Sequence, residues 1–257
     1  MIEKIDFHIK ELENMKIYPN ELFFLGNTEL LQRRKISIVG SRKISQYSRT
    51  QIGLLSQLFA KHGFVIVSGA AMGTDTVAHL NAGASNTIGV AGTGLDKRYP
   101  ALNKKLIENI ETKGLMLSQF APSTESFPSN FPKRNEVVVA LGEILIVSEC
   151  ELKSGTMHSI NFAKAMGKDI YVLPQRLGES QGTNHLLENG FAKPIYNIEK
   201  FVSEISGKKI VKTTDPILEY FQTNPLYDEA ITKYPNETFE YELSGKIVIE
   251  NGIVTLG

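Results

Sequence analysis

The chain has 257 residues, 42% of them hydrophobic and 22% charged, and its formal net charge is zero. That is an ordinary globular composition, long enough for one large α/β core and a small appendage, and it does not announce a nucleic-acid binder. One cysteine, Cys150, excludes an internal disulfide framework and a cysteine-based zinc cage. No apolar run approaches the ~18 residues of a membrane span, and the charged start MIEKIDFHIKELENMK has no signal-peptide core, so a cytoplasmic protein with no membrane attachment is expected.

Residues 1–34 read as a lead-in, a helical segment followed by IYPNELFFLGN. Six short apolar runs follow: ISIV (36–39), FVIV (64–67), TIGVA (87–91), LMLS (115–118), ILIV (144–147) and IYVL (170–173). Nearly continuous apolar runs are what strands covered on both faces of a parallel sheet require. Helical periodicity fills the gaps at roughly 46–62, 74–83, 101–113, 134–141 and 156–167. This alternation predicts an α/β fold with a doubly wound, mostly parallel sheet over residues 35–206. A short helix around His185–Asn189 and a last edge element close it. Residues 207–216 (GKKIVKTTDP) read as a linker, polar and ending in Pro. In residues 217–257, ILEYFQTNP reads as a helix, and Asn251-Gly252 between two β-rich runs is a hairpin signal. Helices followed by a hairpin outline a small winged-helix-like domain.

The zero net charge hides an asymmetry. Between Leu30 and Thr74 there is no acidic residue, while Arg33, Arg34, Lys35, Arg42, Lys43, Arg49 and Lys61 fall in that window. Beyond Thr213, eight acids (Asp215, Glu219, Asp228, Glu229, Glu237, Glu240, Glu242, Glu250) face only Lys233 and Lys246, a net charge of −6 that leaves +6 on residues 1–212. Such a split directs attention to a polyanionic partner for the basic part.

Ligands of open α/β sheets bind beyond the carboxyl ends of the strands. Four strand ends here carry Gly and small hydroxyl residues: VGSR (39–42), VSGAAMGTD (67–75), VAGTGLDKRYP (90–100) and VSECELKSGT (147–156). Together they predict a rim where backbone closely approaches a ligand, with Ser154, Gly155 and Thr156 among its binding residues. The first turn lacks the dinucleotide pattern G-x-G-x-x-G. Ser41, Arg42 and Lys43 stand where the second and third glycines belong, which replaces room for a pyrophosphate with cations. A second feature is FPSNFPKRNEVVV (127–139), where rings and cations interleave at a loop-to-helix boundary. Stacking rings beside cations suit single-stranded nucleic acid held without sequence readout.

The ordered set YP (18–19), IVGSR (38–42), VSGAAMGTDTVAH (67–79), GTGLDKRYP (92–100), FPKRN (131–135), SGTMHSINFA (154–163) and GTNHLLENGFA (182–192) resembles the DprA/Smf family of natural transformation, over about Tyr18 to Ala192. The resemblance implies an extended Rossmann fold, single-stranded DNA binding, a homodimer formed through that fold, and delivery of the strand to the RecA recombinase. It puts the main cation at Arg42, with Gly40 and Ser41 in the same pocket. It matches Arg134 and Asn135 to the family's RN pair, sets Lys133 and Phe131 beside them, and makes Gly69 and Gly73 the second glycine-bearing turn. The chain departs from the family at Met72 and Glu136, where a basic residue and an arginine are usual.

An enzymatic alternative is a phosphoribohydrolase of the lysine-decarboxylase-like family, which shares the broad fold and acts on nucleoside monophosphates. Its catalytic glutamate position falls on Ser159 in KSGTMHS (153–159). Glycosidic cleavage needs a carboxylate there, and Asp75 and Asp96 are strand-end carboxylates without a paired acid. No Walker loop occurs, and the five histidines lack metal-ligand spacing, so neither cofactor nor metal is expected. Asp75 and His79, four apart, read as a packing and capping pair. Ser154 and His158 share a helix face without a third group to orient them. Binding, not catalysis, is the expected function.

Overall fold

The computed structural model describes residues 2–208, 215–250 and 252–256. The chain divides into two compact units, residues 1–208 and 209–257.

The first unit is built on a nine-stranded sheet in the order β1-β2-β6-β5-β4-β3-β7-β8-β9. The six predicted runs form β3 (Lys35–Val39), β4 (Val65–Ser68), β5 (Thr87–Val90), β6 (Leu115–Ser118), β7 (Leu145–Val147) and β8 (Ile170–Val172). All six pair in parallel, and β9 (Lys193–Pro194) extends them. This is the expected doubly wound, mostly parallel α/β sheet. The lead-in adds what sequence reading did not anticipate. β1 (Glu3–Lys4) and β2 (Phe23–Gly26) continue the sheet in antiparallel sense beyond β6. A four-residue apolar run ending in Gly-Asn looks like a turn until β6 offers it an edge.

The helices between these strands are α1 (Gln46–Lys61), α2 (Thr74–Ala82), α3 (Lys104–Lys113), α4 (Asn130–Leu141) and α5 (Gly155–Ala165). The chain runs β3→β4→β5→β6 in one direction, then returns to β7 on the other side of β3. Right-handed crossovers therefore place α1 to α3 on one face and α4 and α5 on the other. Helix α1 shows how sequence sets such an element. The Ser45 side chain accepts from Ser48 N–H at its start, and Ile52, Leu55 and Phe59, spaced three and four apart, are fully buried. Each such side chain contributes roughly 1.5–3 kcal/mol by leaving water. The hydroxyls inside the sheet are bonded: Ser37 donates to Val138 O at 2.6 Å and Ser68 to Ile38 O at 2.7 Å. Helices α6 (Gln181–Glu188) and α7 (Ile198–Ser206) complete the unit, with α7 packed on α1. Where a last edge element was expected, the chain forms the two-residue β9 and then α7, nine residues capped by the Asn197 side chain on Lys200 N–H.

The second unit holds α8 (Pro216–Phe221), α9 (Tyr227–Lys233), α10 (Pro235–Leu243) and the antiparallel pair β10 (Ile247–Glu250) and β11 (Ile253–Leu256). Asp215 caps α8 through Ile217 and Leu218 N–H and accepts the Tyr241 hydroxyl. Phe221, Ala230, Ile247 and Val254 form its small core. The hairpin falls where Asn251-Gly252 signalled it, with Gly252 at φ +75°. Asn251 and most of the predicted linker, 209–214, lie outside the described residues. Three helices and a hairpin are the element order of a winged helix. Among the described residues no helix is long and apolar enough to cross a membrane.

Candidate functional site

The reversal of strand order falls between β3 and β7, and a cleft of about 400 Å³ opens at their carboxyl ends. Its geometry starts at Gly40. A Cβ there would lie 1.9 Å from Ser148 Oγ and 2.5 Å from Thr74 Oγ1, so only glycine lets these ends close up. Thr74 Oγ1 bonds Ser148 Oγ at 2.7 Å, Thr74 N–H donates to Ser41 O at 3.0 Å, and the Thr156 hydroxyl donates to Gly40 O at 3.0 Å. Further along the turn, Ser45 gives its N–H and hydroxyl to the two Glu149 oxygens at 2.9 and 2.6 Å. The turn is thus tied to α2, α5 and the end of β7. Arg42 projects from it, exposed, with no ion pair or side-chain hydrogen bond among the described residues. Its guanidinium carbon lies 5.6 Å from the centre of the Phe131 ring.

The opposite wall is α4. The helix starts at Asn130, not at the expected Arg134, with Pro132 in its first turn, where no N–H is required of it. Because FPKRN is helical, Phe131, Arg134, Asn135 and Val138 recur at helical spacing and line the cleft. Lys133, expected beside them, is exposed and does not line the cleft. Glu136 also leaves that face. Its carboxylate accepts Lys16 N–H at 2.8 Å and ties the lead-in to α4. The departure from the family at Glu136 therefore does not touch the cleft, whereas Met72 does line it.

Arg134 is 5% exposed and forms much of the floor. Its Nη1 donates to Val90 O at 2.8 Å and to Gly69 O, and its Nε donates to Asn135 Oδ1 at 3.0 Å. Burial lowers its pKa, opposed by the nearby Asp75 carboxylate, and Arg42 adds to the lowering. Asp75 accepts Gly69 and Ala71 N–H, both at 3.2 Å, and burial raises its pKa against the pull of Arg134. The expected Asp75–His79 pair does not form. His79 bonds the Thr87 hydroxyl instead, and burial depresses it to about 3.

The third wall is the start of α5, with Cys150, Glu151, Ser154, Gly155, Thr156, His158 and Ser159. Ser154 donates to Glu151 O at 2.7 Å, not to His158. Burial pushes the Cys150 thiol up to about 12, far from a thiolate. Ser159 is 1% exposed, and its hydroxyl has no partner among the described residues.

Of the residues proposed from sequence, Gly40, Ser41, Arg42, Gly69, Phe131, Arg134, Asn135, Ser154, Gly155 and Thr156 meet in one cleft. Lys43 is exposed beside it, and Gly73 supports it from behind: at φ +78°, a Cβ there would lie 2.3 Å from Ser41 O. The glycine rim needs a correction of cause. Cβ atoms at Gly40, Gly69 and Gly73 would strike the protein's own atoms, and only Gly155, with nothing within 4 Å, leaves open space for a ligand. Sequence reading missed Met72, Cys150 and Glu151 as lining; all three belong to strand-end motifs already singled out.

The acid-free window is also corrected. Arg33, Arg34 and Lys35 sit at the amino end of β3, away from the cleft. Arg33 donates to Gly63 O at 3.1 Å, Arg34 pairs with Glu143 at 2.7 Å, and buried Lys35 pairs with Glu11 at 2.6 Å. Helix α1 carries Lys61 back to that same end. Arg42, Lys43 and Arg49 alone of the seven remain near the carboxyl ends of the strands. A second cleft of about 400 Å³, beyond β5, has its cations neutralised, with Lys97 on Glu125 at 2.9 Å and Arg98 on Glu111 at 2.8 Å. Its Tyr99 ring lies 5.9 Å from that of Phe131.

Residues 4–206 match the model of the family described as DNA recombination-mediator protein A. The chain is 36% identical over 176 residues to the DNA processing protein DprA of Streptococcus pneumoniae, covering 67% of this chain and 62% of that protein. It is 34% identical over 180 residues to the protein Smf of Synechocystis, covering 67% of this chain and 45% of that one. The chain thus spans less than two thirds of the length of these two relatives. Among solved structures, it is similar to DNA processing protein A from Helicobacter pylori, described for its unique single-stranded DNA binding mode. The TM-score is 0.78 at 38% identity, covering 80% of this chain and 95% of that one. With the cleft at the strand-order switch and a family match across nearly all of the first unit, the chain belongs to the DNA recombination-mediator protein A family.

Proposed function

We propose that this chain is a single-stranded DNA-binding protein that grips the phosphodiester backbone at the cleft, protects incoming transforming DNA and helps to load the RecA recombinase. It works in the cytoplasm as a homodimer formed through the Rossmann-like unit, without cofactor and without catalysis. Residues 35–206 bind the strand; the acidic residues 217–257 do not.

The observation that carries this reading is the exposed guanidinium of Arg42, without an ion pair or side-chain hydrogen bond among the described residues, on a turn beside Phe131 and the start of α5. An unpaired cation beside helix N-terminal amides suits phosphate. Two relatives add support, one named for DNA processing and one described as binding single strands. In the second unit, α10 carries Glu237, Glu240 and Glu242, which repel phosphate. Against hydrolysis, Ser159 falls where a catalytic carboxylate would be needed, and Asp75 is held by two backbone amides. The test is a gel-shift series with single- and double-stranded oligomers. A preference for single strands is expected; equal or stronger binding to duplex, or release of free base from nucleoside monophosphates at turnover, overturns the reading.

A further inference from the structure

Helix α10 of the second unit carries an exposed apolar ridge. Pro235 stands at its first position, and buried Thr238 and half-buried Tyr241 turn one side of the helix to the small core. Phe239 and Leu243 fall on the other side, four residues apart and so on one face, with 63% and 75% of their surface exposed. The unit buries only Phe221, Ala230, Ile247 and Val254 as its apolar core, yet it leaves these two large side chains in water. Four of its other rings, Tyr220, Phe221, Tyr234 and Tyr241, pack on one another. Phe239 makes no ring contact among the described residues. A single exposed apolar residue needs no explanation, but an adjacent pair on an otherwise charged helix has the pattern of a recognition ridge.

The charges beside the ridge decide what can cover it. At about 3.6 residues per turn, Glu242 borders it on the Phe239 side and Glu240 on the Leu243 side. Neither carboxylate, nor that of Glu237, has an ion pair or side-chain hydrogen bond among the described residues. The two cations beyond Thr213 sit on rings instead, Lys233 Nζ 4.1 Å from the centre of Tyr220 and Lys246 Nζ 4.5 Å from that of Tyr241. The same ridge on a second copy would bring glutamate against glutamate, and nucleic acid or an anionic lipid surface would be repelled as well. A cationic partner gains on both counts. We propose that the Phe239–Leu243 ridge of α10 docks a basic amphipathic helix of another protein, its apolar stripe on the ridge and its lysines or arginines on Glu240 and Glu242. This stands apart from the single-strand reading and gives the acidic second unit a protein-binding role.

The experiment is fluorescence anisotropy of the full chain with a labelled leucine–lysine peptide of about twenty residues, long enough to hold a helix, with leucines at helical spacing. A scrambled peptide of the same composition carries the same charge without the stripe. The amphipathic peptide is expected to bind about tenfold tighter than the scramble or more, as burial of two apolar anchors gives. Phe239→Ser with Leu243→Ser should remove that difference. Glu240→Gln with Glu242→Gln should weaken the amphipathic peptide and flatten its salt dependence, and this pair decides the matter if the serine variant does not fold. Equal affinity for the two peptides overturns the proposal, since charge alone then explains binding. So does an unchanged affinity and salt dependence in the folded glutamine variant. Neither variant should alter single-strand affinity beyond about twofold or the oligomeric state by sedimentation. A loss of single-strand affinity would give the ridge to DNA, and a change of oligomeric state would give it to a second copy; either overturns the proposal.

Discussion

The guanidinium of Arg134 fills the space that a side chain on Gly69 would need: a Cβ at Gly69 would lie 2.2 Å from Nη1 and 2.4 Å from the guanidinium carbon. β4 can end beside α4 only because residue 69 has no side chain. Gly69→Ala is expected to displace Arg134 and cost about 1–3 kcal/mol, as overpacking does. Chemical denaturation measures it. A Gly69→Ala protein as stable as the wild type would show that Arg134 does not hold this place.

Arg134 and Arg42 should separate stability from binding. Arg134→Ala leaves the buried Gly69 and Val90 carbonyls without this donor and is expected to destabilise by about 1–3 kcal/mol, the cost of a buried acceptor left unpaired. Arg42, exposed and without an ion pair among the described residues, should change stability by no more than about 0.5 kcal/mol when replaced by Ala. Thermal melts of both variants check this; similar losses in the two would contradict the division of roles.

The helical register of α4 gives a prediction for its two off-cleft charges. Glu136→Ala loses the acceptor of Lys16 N–H and is expected to cost about 0.5–1.5 kcal/mol, with single-strand affinity unchanged within about twofold. Lys133→Ala should weaken binding much less than Arg42→Ala. If Lys133→Ala proves the more damaging at the same salt, the strand does not run where the cleft lies.

His79 sets a pH dependence. It is neutral when folded, with its pKa depressed from 6.5 to about 3 by burial. Unfolding therefore binds a proton between those values. The His79 contribution to stability is complete above pH 6.5 and is lost as pH falls towards 3, with a slope of at most about 1.4 kcal/mol per pH unit. Melting between pH 7 and 4.5 should show a decline that is shallower in His79→Gln. The same decline in both proteins would assign it to other groups.

Much of this fold was legible because the parallel strands are short apolar runs buried on both faces, which no helix or loop imitates at that spacing. Strand β2 was not, because FFLG has no periodicity of its own and is a strand only against β6. Part of the site was legible as motifs, since strand ends and an interrupted dinucleotide turn are sequence features. Its register was not. The start of α4 was read four residues late, since Phe-Pro pairs look like loop, and Lys133 was then grouped with residues on a different face. The roles of Gly40, Gly69 and Gly73 were also hidden. Sequence shows that a side chain is missing, and only packing shows what takes its place. The acid-free window misled for a related reason, as Arg34 and Lys35 are neutralised by Glu143 and Glu11, distant in sequence.

The most direct test of the central claim is the affinity of Arg42→Ala for a single-stranded oligomer across a salt series, measured by anisotropy beside the wild type. Loss of a charge-assisted phosphate contact predicts binding weakened about 10–100-fold at low salt. It also predicts a log–log salt slope shallower by about 0.7, with an unchanged melting temperature. Wild-type affinity and slope in a folded Arg42→Ala protein would contradict the account.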